Sequence, residues 1–412
     1  MKGVNKMYNY LHDSFHQITQ SEFEEEYKKK YNSQTTIYLP FEIRSLNYSE
    51  KFPAFLNIHI NLINLLDEIY QQDQQIRKIM ELIPDVAQKD YIIGNLVDEL
   101  QSTNDLEGVR STRAEMAEGT KLFISKSPKT VRHQSLIRTY NKLLSGDIEI
   151  PKTSNDIREI FDFLLQDSIE KESLLDGTIF RKEGSEVLAN NGTGKVIHRG
   201  VSPEKEVIKE MDKLLDFLNN FHLPMLFKVS IAHYYFGYIH PFYDGNGRTS
   251  RFISSIYLEQ NFNILIALSL SKGCNEFKSQ YLRAFDITNS FKNKGDLTFF
   301  CETFCKIIRN TQINILNDMK EKIHQMNTLK DFVRNDTNLD SELERRVMYV
   351  LVQNHFFNYT DEGVSRMELV DFTQQSPYTI NKVLDKLIKV DAIEKISSNP
   401  IVVHLKESYF RL

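Results

Sequence analysis

Turn-forming residues are scarce in this chain: 16 glycines and 10 prolines stand among 412 residues, about half the usual combined share. Too few are present for a collagenous, largely disordered or many-turned all-β chain. Apolar residues recur instead at three- and four-residue spacing along most of the sequence, so the chain reads as mainly α. Its length exceeds one typical core, and two or three domains are expected. Lys and Arg number 51 against 56 Asp and Glu, a net charge of −5, so no global basic field gathers nucleic acid. Three cysteines (Cys274, Cys301, Cys305) cannot build a disulfide framework, and their odd number suits a reducing compartment. Cys301 and Cys305 lie one helical turn apart with no nearby histidine and read as buried small apolar groups. The opening MKGVNKMYNYLHDSFHQ lacks the apolar segment of a signal peptide, and no run approaches the roughly eighteen apolar residues of a membrane span. The expectation is a cytoplasmic protein with no membrane partner.

Residues 1–100 read as an N-terminal helical region. In it, Glu24, Glu25 and Glu26 precede Lys28, Lys29 and Lys30 by four residues, which supports a solvated helix. From 53 to 89, Phe55, Ile58, Ile60, Ile63, Leu65, Leu66 and Ile69 keep helical spacing. YIIGNLVDELQST continues as helix, and Gly108 stands where it would close. DIREIFDFLLQDSIEKESLL (about 155–175) is helical again. The stretch from about 186 to 200 differs, with Val187-Leu188 and Val196-Ile197 flanking glycines, and predicts a small hairpin turning near Asn191-Gly192. Its GTGK is not a P-loop, because the first glycine of that motif would fall on Ala189 and Val196 replaces Ser or Thr. Helices resume from 204 to 239 and from 248, then over about 275–287 and 295–330. After a polar linker at 334–340, residues 340–412 order as helix, helix, helix and β-ribbon, the order of a winged helix-turn-helix domain.

Residues 240–251, His-Pro-Phe-Tyr-Asp-Gly-Asn-Gly-Arg-Thr-Ser-Arg, carry the chemistry. A helix ends near Ile239, because Pro241 disfavours the helical region for the residue before it. Gly245 and Gly247 allow positive φ and close backbone approach to a ligand. The next helix opens at about Gly247–Arg248, so its first N–H groups face the loop and form an anion site. Arg248 and Arg251 share one face of that first turn. Cations there oppose the helix dipole, an arrangement that makes sense for holding a polyanion such as a triphosphate. Asp244 is the acid available for Mg²⁺, which takes one or two carboxylates plus phosphate oxygens. His240 titrates near neutrality in water and can take a proton from a hydroxyl. Taken together, these residues form a phosphoryl- or nucleotidyl-transfer site.

This segment resembles the full Fic signature, His-Pro-Phe-x-Asp/Glu-Gly-Asn-Gly-Arg-x-x-Arg, with every defined position filled, and the likeness extends over about 100–310. The resemblance implies a Fic core over 101–333 and a helical protein adenylyltransferase. Such an enzyme moves AMP from ATP, with Mg²⁺, onto a Ser, Thr or Tyr hydroxyl of a target protein and of itself. It implies His240 as general base and Asp244 as the Mg²⁺ ligand. Gly245, Asn246 and Gly247 would form an anion hole, Arg248 would orient phosphates and Arg251 would hold the γ-phosphate. Phe242 is expected to point inward, and Tyr243 fills the variable position. Thr103-Asn104-Asp105-Leu106-Glu107-Gly108 resembles the family's inhibitory motif, on a helix at about 101–110. By that likeness Glu107 pairs with Arg251 and denies it to the γ-phosphate, a competition that charge-assisted bonding makes physical. Ser111 and Glu115 have similar spacing, but Met116 breaks the pattern.

The hairpin falls where the family carries a flap that adds a target segment by main-chain pairing. His233 reads as a packed or hydrogen-bonded histidine, since two helical turns separate it from His240. Tyr281 lies where the family has aromatic residues near adenine. Residues 340–412 hold 9 Lys/Arg against 11 Asp/Glu. Lys382, Lys386 and Lys389 on the third helix therefore make DNA binding conceivable but not favoured over protein interaction. Three other readings stand beside AMP transfer: a DNA-binding nucleotide-sensing regulator, AMP removal, and transfer of UMP, phosphate or phosphocholine. A homo-oligomer is compatible with the sequence, and its interface could bury or release the 103–108 helix.

Overall fold

The computed structural model describes residues 8–188, 194–360 and 362–409. Among them the chain is mainly helical, with three small antiparallel sheets. It begins α1 (Leu11–Ser14), α2 (Gln20–Tyr31), β1 (Thr36–Arg44) and β2 (Lys51–Asn57). Two long helices follow, α3 (Ile60–Met80) and α4 (Asp85–Leu106), then α5 (Arg113–Ile124), α6 (Gln134–Ser145) and α7 (Ser154–Leu165). A short hairpin, β3 (Glu186–Leu188) and β4 (Val196–Arg199), precedes α8 (Glu204–Asn220), α9 (Met225–Ile239) and α10 (Asn246–Glu259). The helical series closes with α11 (Ile264–Ala267), α12 (Leu270–Glu276), α13 (Lys278–Asn289) and α14 (Thr298–Asn335). The last elements are α15 (Glu342–Phe357), β5 (Val364–Ser365), α16 (Arg366–Thr373), α17 (Pro377–Lys389), β6 (Ile393–Ser398) and β7 (Ile401–Leu405).

The first hundred residues are not all helical. β1 and β2 pair antiparallel, Ile43 opposite Phe52 and Ile37 opposite Leu56. Leu39, Phe41 and Ile43 are buried while Pro40, Glu42 and Arg44 are exposed, the period-two pattern of a strand with one covered face. Phe55, which fits a helical series by spacing, belongs to β2; the helix starts only at Ile60. α7 is also shorter than its periodicity suggests, ending at Leu165. Ser168 beyond it turns its hydroxyl to Arg248.

The chain packs as two units, residues 1–74 with 98–313 and residues 75–97 with 314–412, a division different from one read along the sequence. The first unit is built around α9, buried on all sides from Leu226 to Ile239 apart from Gly237. That explains why its apolar residues form no stripe. α10 packs beside it, buried from Arg248 to Leu258. In the second unit α15, α16 and α17 cover a three-stranded sheet of order β5-β7-β6. Its core includes Val347, Leu351, Leu369, Ile380, Leu384, Leu387 and Val403.

Gly108 closes α4 at φ +74°, with the Val109 N–H donating to Asn104 O at 2.9 Å, a helix-terminating pattern that suits glycine. Gly245 is constrained more tightly. Its φ is +78°, and a Cβ there would lie 2.2 Å from Leu165 Cδ1. Gly245→Ala combines left-handed strain with overpacking, and should cost about 2–4 kcal/mol in urea unfolding.

Candidate active site

The loop after α9 is held from three sides. His240 caps α9 in the left-handed region at φ 51°, a conformation that costs a non-glycine residue about 1–2 kcal/mol. Its N–H still donates to Phe236 O at 2.9 Å. Phe242 is fully buried and stacks on Phe161 with centroids 3.8 Å apart. Asn246 opens α10 and turns its side chain back across the loop. Its Oδ1 accepts from the Phe242 N–H at 2.9 Å, and its Nδ2 donates to Phe242 O at 2.8 Å. The signature asparagine thus fastens the loop to the helix N-terminus.

The charged residues gather on the first turn of α10. Arg251 is 1% exposed, and its Nη2 donates to Glu107 Oε1 at 2.8 Å. The same nitrogen reaches Thr103 O at 3.1 Å and Thr103 Oγ1 at 3.1 Å. A Cβ at Gly247 would fall 2.1 Å from Glu107 Oε1. The Glu107 carboxylate therefore lies against the N-terminus of α10, where the helix dipole favours an anion. Burial alone would lower the Arg251 pKa, but the adjacent Glu107 carboxylate overcomes this and drives it up. Arg248 pairs with Asp244 at 3.0 Å and donates to Ser168 Oγ at 3.1 Å, while its buried Nε has no partner among the described residues. Asp244 offers that pair only Oδ2, and its side chain is 44% exposed.

The His240 imidazole faces the hairpin. Its Nδ1 lies 3.2 Å from Ser185 Oγ and 3.3 Å from Asn246 Nδ2. Burial, reinforced by the nearby His198 and Arg181, pulls its pKa down to about 3, so the ring is neutral at physiological pH. His198, on β4, is buried with Nε2 2.7 Å from Tyr238 O, and burial lowers its pKa too. The hairpin pairs Glu186 with Arg199 and Val187 with His198; the turn expected near Asn191-Gly192 lies outside the described residues.

Some residues singled out by sequence have purely internal roles. His233 is buried between Ser254 Oγ at 2.9 Å and the Tyr281 hydroxyl at 2.7 Å, as a packed histidine should be. Tyr281 is itself only 6% exposed and borders Arg251. Cys301 and Cys305 are free and buried. Among the described residues no cluster of three or more His, Cys, Asp or Glu side chains could hold a metal ion, and no helix is long and apolar enough to cross a membrane. Ser168, Arg181 and Ser185 all reach residues of the 240–251 segment, although nothing in their spacing announces it.

Burial and the Arg251 charge lower the His233 pKa to about 3, against about 6.5 in an unfolded chain. Above about pH 6.5 both states are neutral. Below it the unfolded chain alone takes the proton, so stability falls with pH down to about 3, by up to about 1.4 kcal/mol per unit. His233→Gln removes this titration. In urea unfolding from pH 7 to pH 4.5, the stability gap between wild type and variant should narrow as pH drops.

Residues 151–258 match the Fic/DOC family. Members of that family typically transfer a nucleoside monophosphate to proteins. Among solved structures, a Fic family protein from Desulfovibrio desulfuricans superimposes with a TM-score of 0.53 at 18% identity, covering 85% of this chain and 97% of that one. The fold is thus that of a Fic protein. A Fic-domain signalling protein from Bacteroides thetaiotaomicron covers 62% of this chain and 97% of its own, with 19% identity and a TM-score of 0.44.

Proposed function

We propose that this protein transfers AMP from ATP to a Ser, Thr or Tyr hydroxyl of a target protein, and of itself, and that Glu107 restrains it. One observation carries the reading. A carboxylate from outside the Fic/DOC match rests on Arg251 at 2.8 Å, against the helix N-terminus where a nucleotide's terminal phosphate would bind. In the reaction the acceptor oxygen attacks the α-phosphorus, its proton passes to His240, and the bond to the β-phosphate oxygen breaks to release pyrophosphate. The first amides of α10 and Gly245, Asn246 and Gly247 cradle the phosphates, Arg248 orients them, and Arg251 holds the γ-phosphate once Glu107 withdraws.

The donor set suits Mg²⁺, since Asp244 keeps one oxygen free of Arg248 and its side chain reaches solvent. The charge neutralisation a bound Mg²⁺ supplies would fall on the departing pyrophosphate. The β3–β4 hairpin beside His240 supports a flap onto which an extended target segment pairs. The element order and β5-β7-β6 sheet of the second unit support a winged helix-turn-helix module. Lys386 is spent on Asp340 and Glu344, which further disfavours a DNA-reading surface and leaves protein interaction as the preferred role. The test is intact mass after incubation with ATP and Mg²⁺, compared across ATP, UTP and GTP. An AMP increment on Glu107→Gly with ATP supports the reading. A UMP or GMP increment instead would reassign the donor.

A further inference from the structure

We propose that Arg181 is a positioning residue that joins the β3–β4 hairpin and the His240 backbone into one rigid piece, so that a segment laid on the hairpin is registered to the base. This rests on the transfer reaction proposed above and deepens it. Arg181 is fully buried, and its guanidinium bonds are all to backbone carbonyls. Nε donates to His240 O at 2.8 Å. Nη2 donates to Val201 O at 2.8 Å and to Ile239 O at 3.4 Å, while Nη1 donates to Glu183 O. Glu183 and Val201 flank the hairpin on its two sides, and Ile239 and His240 end α9. One planar fork therefore spans both elements, a geometry that lysine cannot copy.

Its surroundings are built to keep it there. The Glu204 carboxylate accepts from the Ile179 and Phe180 N–H groups at 2.8 and 3.0 Å, which fixes the chain just before it. The Val201 N–H donates to Ile239 O at 3.0 Å. Gly200 has no room for a side chain, since a Cβ would lie 2.4 Å from Arg181 Nη2 and 2.9 Å from His240 Cβ. Among the described residues Arg181 has no carboxylate partner, and a buried cation in that state is costly. Its position accounts for the cost, because it stabilises a left-handed His240 and its charge disfavours a second one on the imidazole. The titratable and charged groups facing that imidazole are Arg181 and His198.

Two substitutions separate the two effects, both made in Glu107→Gly. Arg181→Lys keeps the charge but loses the fork; Arg181→Met loses both. At saturating ATP both should incorporate AMP about 10²-fold more slowly, as expected for a base misplaced by about 1 Å, with the KM for ATP unchanged. The His240 imidazole is followed independently of activity in ¹⁵N-histidine-labelled protein, its signals assigned by their loss in His240→Ala. It should protonate at higher pH in Arg181→Met than in Arg181→Lys. If Arg181→Met fails to fold, Gly200→Ala serves in the rate arm, since its methyl group displaces the same contact. A full rate in Arg181→Lys, or one imidazole titration common to both variants, overturns the proposal. If Glu107→Gly itself incorporates no AMP, the transfer reading fails, and the titration still decides whether Arg181 acts on His240.

Discussion

Glu107→Gly is expected to raise the rate of AMP incorporation on the order of 10²-fold. The Arg251 guanidinium has Glu107 at 2.8 Å and Thr103 at 3.1 Å, and its side chain is 2% exposed. Removing the carboxylate hydrogen-bonded to a buried guanidinium typically costs about 2–5 kcal/mol, because the cation is left uncompensated. A γ-phosphate can supply that compensation, and about 2.7 kcal/mol corresponds to the hundredfold gain. The same reasoning predicts that the variant without nucleotide is less stable than wild type, and that ATP raises its Tm more. Glu107→Gln keeps the shape without the charge and should fall between. Equal rates in wild type and Glu107→Gly, with AMP incorporated by both, would show that the pair does not restrain the enzyme.

His240→Ala in the same background should lower incorporation by about 10²–10⁴-fold, the usual contribution of a positioned general base, while ATP still raises Tm. The loop does not depend on the imidazole for its shape, since Phe242 and Asn246 fasten it separately. With a pKa near 3, His240 stays neutral from pH 8 to pH 5. Its protonation state therefore predicts no acid fall in rate over that range, and a limb near pH 6.5 would mean that the ring is more solvated in action than at rest.

Much of the helical architecture was legible because period-3.6 apolar spacing and few turn residues leave little else. The signature loop was legible because it is contiguous: a histidine, an acid, two glycines and two arginines fall within twelve residues. Glu107 could be paired with Arg251 only through a resemblance, since 144 positions separate them. The β1–β2 hairpin was hidden because Phe55 fits both a period of two and one of 3.6. Arg181 and Ser185 were invisible for a different reason: one meets backbone carbonyls and the other an imidazole edge, and neither partner leaves a mark in local spacing.

The sequence by itself determined a helical chain, a helix N-terminus behind a glycine-containing turn, and a histidine at the turn before it. These follow from local rules: a proline that stops a helix, glycines that permit positive φ, and amides that must point forward. The tertiary structure alone decided what state those residues are in. It buried the imidazole so that it stays neutral, spent Arg251 on Glu107 and Thr103, and clamped the loop to the hairpin through Arg181. Solvation and the pairing of distant charges depend on which surfaces meet, and no local pattern encodes that.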